Sequence, residues 1–161
     1  MTLHLLSGIP GSGKSTIASN IPGHIVSTDK IRKFLWEDES ITSRDKLVFE
    51  LAESIIKYLL RRGKDVIFDA TNISALKRKK YINLAKAHNA KVILHWVNVP
   101  VDIAIERNLN RQRKVPIRAI RAMYKSFQEP IIKEGLDQIK IYGKNLNLLK
   151  IVTPGVILKR L

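Results

Sequence analysis

Residues 8–15 read Gly8-Ile9-Pro10-Gly11-Ser12-Gly13-Lys14-Ser15, a string of the form G-x-x-x-x-G-K-[ST]. Just before it, Leu3-His4-Leu5-Leu6-Ser7 is a short apolar run that predicts a strand, and Lys14 to Asn20 predicts a helix closed by Pro22-Gly23. Strand, glycine loop and helix in that order make a phosphate cradle. The glycines let successive backbone N–H groups turn toward anionic oxygens, and the helix start adds partial positive charge. Gly8, Gly11, Ser12 and Gly13 would build the cradle, and Lys14 would place a point charge on β- and γ-phosphates. Ser15 would ligate Mg²⁺ and Thr16 would donate to the α-phosphate, so a nucleoside triphosphate with its metal is the implied occupant.

The alternation continues along the chain. His24-Ile25-Val26-Ser27 predicts a second strand, after which Asp29 can open a helix through Ile31, Phe34 and Leu35. Thr42-Ser43-Arg44-Asp45 has the form of a capping box, and Leu47, Val48, Leu51, Ile55 and Leu59 then recur at helical spacing until Gly63. Val66-Ile67-Phe68, closed by Asp69, predicts a third strand, followed by a basic helix from Ser74 to His88 with Leu76, Leu84 and Ala85 inward. Lys91 to Asn98 predicts a fourth strand. Pro100 and Asp102 open a helix through Arg107 and Arg111, residues 112–115 form a loop, and Pro116 starts another helix. There Ile117, Ile120, Tyr124 and Phe127 make a packing stripe, and Arg118, Arg121 and Lys125 a charged one. Late strands are expected at Leu148 to Thr153 and Val156 to Leu158, turning at Pro154-Gly155. The fold class is therefore α/β, a parallel sheet with helices on both faces in one domain over residues 1–161. Ligands of such sheets bind beyond the carboxyl ends of the strands, where Gly8, Asp29, Asp69 and Pro100 fall.

Composition narrows the class. With 161 residues, 45% of them hydrophobic, the chain can bury a core of its own. It has no cysteine, which excludes a disulfide framework, a thiolate metal site and a cysteine nucleophile. No apolar run approaches the ~18–20 residues that cross a bilayer, so no membrane partner and a cytoplasmic location are expected. Charge is the abnormal feature: 29 Lys+Arg stand against 14 Asp+Glu. Ser74 to Lys125 alone holds 13 basic residues and 2 acidic ones, a concentration that points to a polyanionic partner such as nucleic acid.

Several residues are open to two readings. Asp29 and Arg32 lie three apart on one helical face, where the carboxylate could take a hydroxyl proton while the guanidinium holds an acceptor phosphate. Asp29 could equally be a plain helix cap, and Arg32 a solvated charge. Asp69 could serve metal and phosphates or end a strand, and Thr71 and Asn72 could orient an acceptor or cap the next helix. Arg107 and Arg111 project from one helix face, with Arg113 behind them in a loop, and suit a lid over a transferring phosphoryl group; a basic solvated helix end is the alternative. His4 and His95 lie within apolar strands and read as core.

Three short segments, Thr28-Asp29-Lys30-Ile31-Arg32, Asp69-Ala70-Thr71-Asn72 and Glu106-Arg107-Asn108 with Arg111, follow the glycine loop in that order. Val115-Pro116-Ile117 then runs into Met123-Tyr124-Lys125-Ser126. Over Met1 to about Phe127 the chain resembles the kinase domain of the phage-type 5′-polynucleotide kinases. The resemblance implies a P-loop kinase-like fold with an arginine-bearing lid, and transfer from ATP to the 5′-hydroxyl end of DNA or RNA. It implies Asp29 as general base, Arg32 on the acceptor's 3′-phosphate, Arg107 and Arg111 in the lid, and an acid before Thr-Asn that places the acceptor. In the best-known phage enzyme that acid directly precedes Thr-Asn, whereas here Ala70 intervenes. The D-x-D-G-T string of a phosphatase domain is absent, so kinase chemistry alone is expected. A P-loop kinase acting on a small-molecule hydroxyl and a non-catalytic nucleotide-binding module are the alternatives.

Overall fold

A computed structural model describes residues 1–37 and 45–155. Its sheet contains β1 (Thr2–Ser7), β2 (His24–Ser27), β3 (Val66–Asp69), β4 (Lys91–Val97), β5 (Gln138–Tyr142) and β6 (Leu148–Val152). They lie in the order β2-β3-β1-β4-β5-β6. The first five are mutually parallel, and only β6 at the edge runs antiparallel, against β5. β1 sits between β3 and β4, with Leu5 opposite both Phe68 and Leu94. Its residues Leu3, Leu5 and Leu6 are fully buried, as expected of a parallel strand covered on both faces.

The described residues form six α-helices: α1 (Lys14–Ser19), α2 (Thr28–Trp36), α3 (Asp45–Arg61), α4 (Ala75–Ala87), α5 (Val101–Leu109) and α6 (Ile117–Ser126). Because successive strand side chains point to opposite faces, neighbours divide between two cores. Leu5 and Phe68 pack with Ala52 and Ile56 of α3 and Ile82 of α4, while Leu6 and Ile67 pack with Ile17 of α1. Ile9, Ala104, Ile105 and Ile120 form a smaller cluster that fastens α5 and α6 to the glycine loop. Among the described residues no helix is long and apolar enough to cross a membrane.

The α/β architecture agrees with the sequence expectation, and several details correct it. α3 buries Val48, Ala52, Ile56 and Leu60, whose spacing of four keeps one face toward the sheet; Leu47 and Ile55 flank that face and are exposed. In α4 Leu76 points to solvent and Arg78 points inward, fully buried, because Glu134 receives it. Of the α6 stripe only Ile120 is buried; Ile117 and Tyr124 are exposed, and Phe127 stacks on Trp96. β5 is an additional strand, whose Gln138-Ile139-Lys140-Ile141-Tyr142 pattern has the period of two that a half-covered strand requires. The expected capping box at Thr42-Ser43-Arg44 and the strand at Val156 to Leu158 lie outside the described residues.

Candidate active site

The carboxyl ends of β1, β2 and β3 converge on one cleft of ≈ 790 Å³. β1 delivers the glycine loop, β2 delivers Thr28 and Asp29, and β3 delivers Asp69, Ala70 and Thr71. The loop is shaped by close approach. A Cβ on Gly11 would lie 2.2 Å from the Ala104 carbonyl oxygen, and Gly11 itself has φ +82°, so α5 can sit against the loop only because residue 11 has no side chain. Gly13 has φ +103°, and Leu146 Cδ2 would lie 2.6 Å from a Cβ there. Gly8 and Ser12 belong to the loop's scaffold rather than to the cleft wall. The Gly8 amide donates to Thr71 O (3.0 Å), the Ser12 amide donates to Ile9 O (3.2 Å), and the buried Ser12 hydroxyl has no hydrogen-bond partner among the described residues.

Lys14, Ser15 and Thr16 line the cleft. The Lys14 ammonium donates to Ile9 O at 2.9 Å. Burial pushes its pKa down to about 8, with Arg111 adding to the effect and the carboxylates of Asp69 and Asp29 opposing it. Anionic phosphate arriving there would restore the charged form, so binding takes up a proton once the pH exceeds about 8. Affinity for a non-hydrolysable ATP analogue is therefore expected to be flat below pH 8 and to fall above it, by up to about tenfold per pH unit. Calorimetric titration from pH 7 to 9.5 checks this; an affinity unchanged over that range would show that Lys14 does not carry the phosphate charge.

The Ser15 hydroxyl donates to Asp69 Oδ2 at 2.7 Å. A hydroxyl and a carboxylate oxygen side by side form the sparse, hard donor set that suits Mg²⁺, which keeps waters and substrate phosphates as its remaining ligands. Among the described residues no cluster of three or more His, Cys, Asp or Glu offers an alternative cage.

Opposite the loop, Ser27 caps α2 by accepting from the Lys30 amide, which leaves the Asp29 side chain, in the first turn, unused as a cap. Asp29 instead accepts two guanidinium hydrogen bonds on one oxygen, Oδ1: from Arg32 Nη1 (2.7 Å) and from Arg113 Nη1 (2.5 Å), 84 residues away. Its Oδ2 has no partner among the described residues and is available to a hydroxyl proton. Arg32 is no solvated charge, since its side chain is only 8% exposed. Nor is it an open phosphate clamp: Asp45 takes Nε at 2.9 Å and Nη2 at 3.1 Å. Asp45 is a residue of the cleft that the sequence did not single out for it. It stands 13 positions from Arg32, and only the packing of α2 on α3 brings them together.

Arg107 and Arg111, the arginines expected in a lid, line the same cleft. Arg107 Nη1 donates to Ser12 O (3.1 Å) and Nη2 donates to Lys144 O, so this side chain clasps the glycine loop to the turn before β6. Arg111 lines the cleft close enough to act on Lys14. Thr71 also lines it, whereas Asn72 does not. Asn72 is buried in a left-handed conformation (φ +45°), its amide donates to Leu6 O (2.7 Å), and its carbonyl accepts from Ser7 Oγ and Arg78 Nη1 (3.1 Å each). The expected contact of Asn72 with an acceptor is thereby replaced by a structural role: it ties β3's exit to β1.

The AAA domain family matches residues 3–130. The chain belongs to this family. An L-seryl-tRNA(Sec) kinase of Methanococcus maripaludis is 30% identical over 84% of this chain and 56% of its own length. A putative bifunctional polynucleotide kinase/RNA ligase of Autographa californica nuclear polyhedrosis virus is 27% identical over 78% of this chain and 20% of its own. The chain thus spans about half of the first relative and a fifth of the second. A solved Pnkp1/Rnl/Hen1 RNA repair complex contains the same fold, with a TM-score of 0.68 over 78% of this chain and 43% of that one at 24% identity. Both relatives carry kinase in their names, and this chain is similar to part of each.

Proposed function

We propose that this domain transfers the γ-phosphoryl group of ATP to a hydroxyl carried by nucleic acid, the 5′-OH end of DNA or RNA. The observation that carries the reading is the placement of Asp29, with one carboxylate oxygen unpartnered among the described residues, across a single cleft from Lys14. Asp29 takes the proton as the acceptor oxygen bonds to the γ-phosphorus and the bond to the β-phosphate oxygen breaks, leaving ADP and a phosphorylated end. Lys14, Arg107 and Arg111 supply positive charge for the oxygens of the moving group. A divalent cation held by Ser15 and Asp69 would neutralise β- and γ-phosphate charge. Thr71, on the cleft wall beside Asp69, would help place the acceptor.

A nucleic-acid acceptor is supported by the 13 basic residues between Ser74 and Lys125, of which only Arg78 is buried, and by relatives whose names include a tRNA kinase and a polynucleotide kinase. A hydroxyl on an aminoacyl group attached to tRNA is a second reading, favoured by 30% identity to the archaeal relative over 84% of this chain. Label transfer from γ-labelled ATP to matched 5′-OH DNA and RNA oligonucleotides, seryl-tRNA and a panel of small hydroxyl metabolites tests both. Labelled 5′ ends are expected. Label confined to the metabolites, or ATP consumed with no labelled acceptor, would overturn the proposal.

A further inference from the structure

We infer that Asp45 determines acceptor specificity by filling the guanidinium fork of Arg32, so that this site takes hydroxyls without reading the phosphate next to them. The inference rests on the kinase reading above and deepens it. Arg32 has five N–H donors in a planar fork that matches a carboxylate or a phosphate equally well. Its Nε and Nη2 lie 2.9 and 3.1 Å from the two oxygens of Asp45, a bidentate pair, and its Nη1 lies 2.7 Å from Asp29. Three of the five N–H groups are thus taken, and a side-on bidentate hold on an acceptor's 3′-phosphate would need the Nε and Nη2 pair that Asp45 occupies. The Arg32 side chain is only 8% exposed and that of Asp45 36%, so the guanidinium end of this charge-assisted bidentate contact is shielded from water.

Charge points the same way. Asp29, Asp45, Arg32 and Arg113 form a chain of contacts with two negative and two positive members, so the quartet has no net charge. A phosphate entering beside Arg32 would meet two carboxylates at once. Arg32 therefore acts as a positioning residue: one end is fixed by Asp45, the other fixes Oδ1 of Asp29, and Oδ2 is left for the hydroxyl. Phosphates further along the acceptor have other partners, because Lys77 and Lys114 line the cleft without an ion pair among the described residues.

The test uses two 5′-OH oligonucleotides that differ only in the first internucleotide linkage, a phosphodiester in one and an uncharged methylphosphonate in the other. For the unmodified protein, kcat/KM is expected to differ by less than about threefold between them, well below the tenfold or more that losing a charged hydrogen bond produces. Asp45→Asn opens the fork and should make the phosphodiester preferred by about tenfold or more. A tenfold preference in the unmodified protein, or an identical ratio in Asp45→Asn, would overturn the inference. Sulfate soaked into crystals of the ADP complex gives a readout independent of turnover. Sulfate on Arg32 is expected in Asp45→Ala and Asp45→Asn only, and sulfate there in the unmodified protein, with Asp45 swung away, would refute the idea. No transfer to either oligonucleotide would remove the 5′-OH reading, and the soaks alone would then decide the role of Asp45.

Discussion

Asp29→Asn is expected to slow phosphoryl transfer by about 10²–10⁴-fold, the range that a positioned base contributes, while ATP binding near pH 7 stays almost unchanged. The substitution is isosteric, and the amide oxygen can still accept from Arg32 and Arg113, which now meet on Oδ1. What disappears is an oxygen basic enough to take the hydroxyl proton. The Asp29 charge also helps keep Lys14 protonated, so above about pH 8 the variant should lose ATP affinity sooner than the unmodified protein. Single-turnover transfer and equilibrium ATP binding, measured side by side at pH 7, separate the two effects. A variant that still transfers at the normal rate would remove Asp29 from the chemistry, and one that lost ATP binding at pH 7 would give it a different role.

Glu134→Ala should be the most damaging change away from the cleft. Arg78 is fully buried, and Glu134 receives its Nε and Nη2 at 2.8 Å each. Removing one partner of a buried pair strands the other charge, at a cost of about 3–5 kcal/mol, which for a domain of this size lowers Tm on the order of 10 °C. The consequence reaches the site. Arg78 Nη1 also donates to Asn72 O, and Asn72 anchors the turn that carries Asp69 and Thr71 to Leu6 of β1. Thermal unfolding of Glu134→Ala measures the loss. Replacing Arg78 and Glu134 together with apolar residues of similar volume should cost less than Glu134→Ala alone, because no charge is then left unpaired. Equal melting of Glu134→Ala and the unmodified protein would mean that Arg78 finds another partner or does not need one.

These two expectations rest on unequal amounts of sequence information. The glycine loop was legible because its chemistry is local: Gly11 and Gly13 have positive φ, and the strand and helix that present them adjoin in the chain. The position of Asp29 just past a strand was legible as well, but its role was not, since a cap and a base have the same address. Ser27 takes the cap, which removes the first of those two readings. The α4 face was misread at Leu76 and Arg78 because hydropathy alone sends leucine inward and arginine outward. A carboxylate 56 residues further on reverses that order.

The α/β alternation, the phosphate loop and the excess of positive charge follow from the order of residues alone, because they depend on neighbours in the chain or on simple counts. Which side chains share a charge is set by how the helices pack. The contacts of Asp45 with Arg32, Arg113 with Asp29 and Glu134 with Arg78 join positions 13, 84 and 56 residues apart. Such pairs have no period and no motif. They form because helices packed on the same sheet bring opposite charges together where little water remains to screen them.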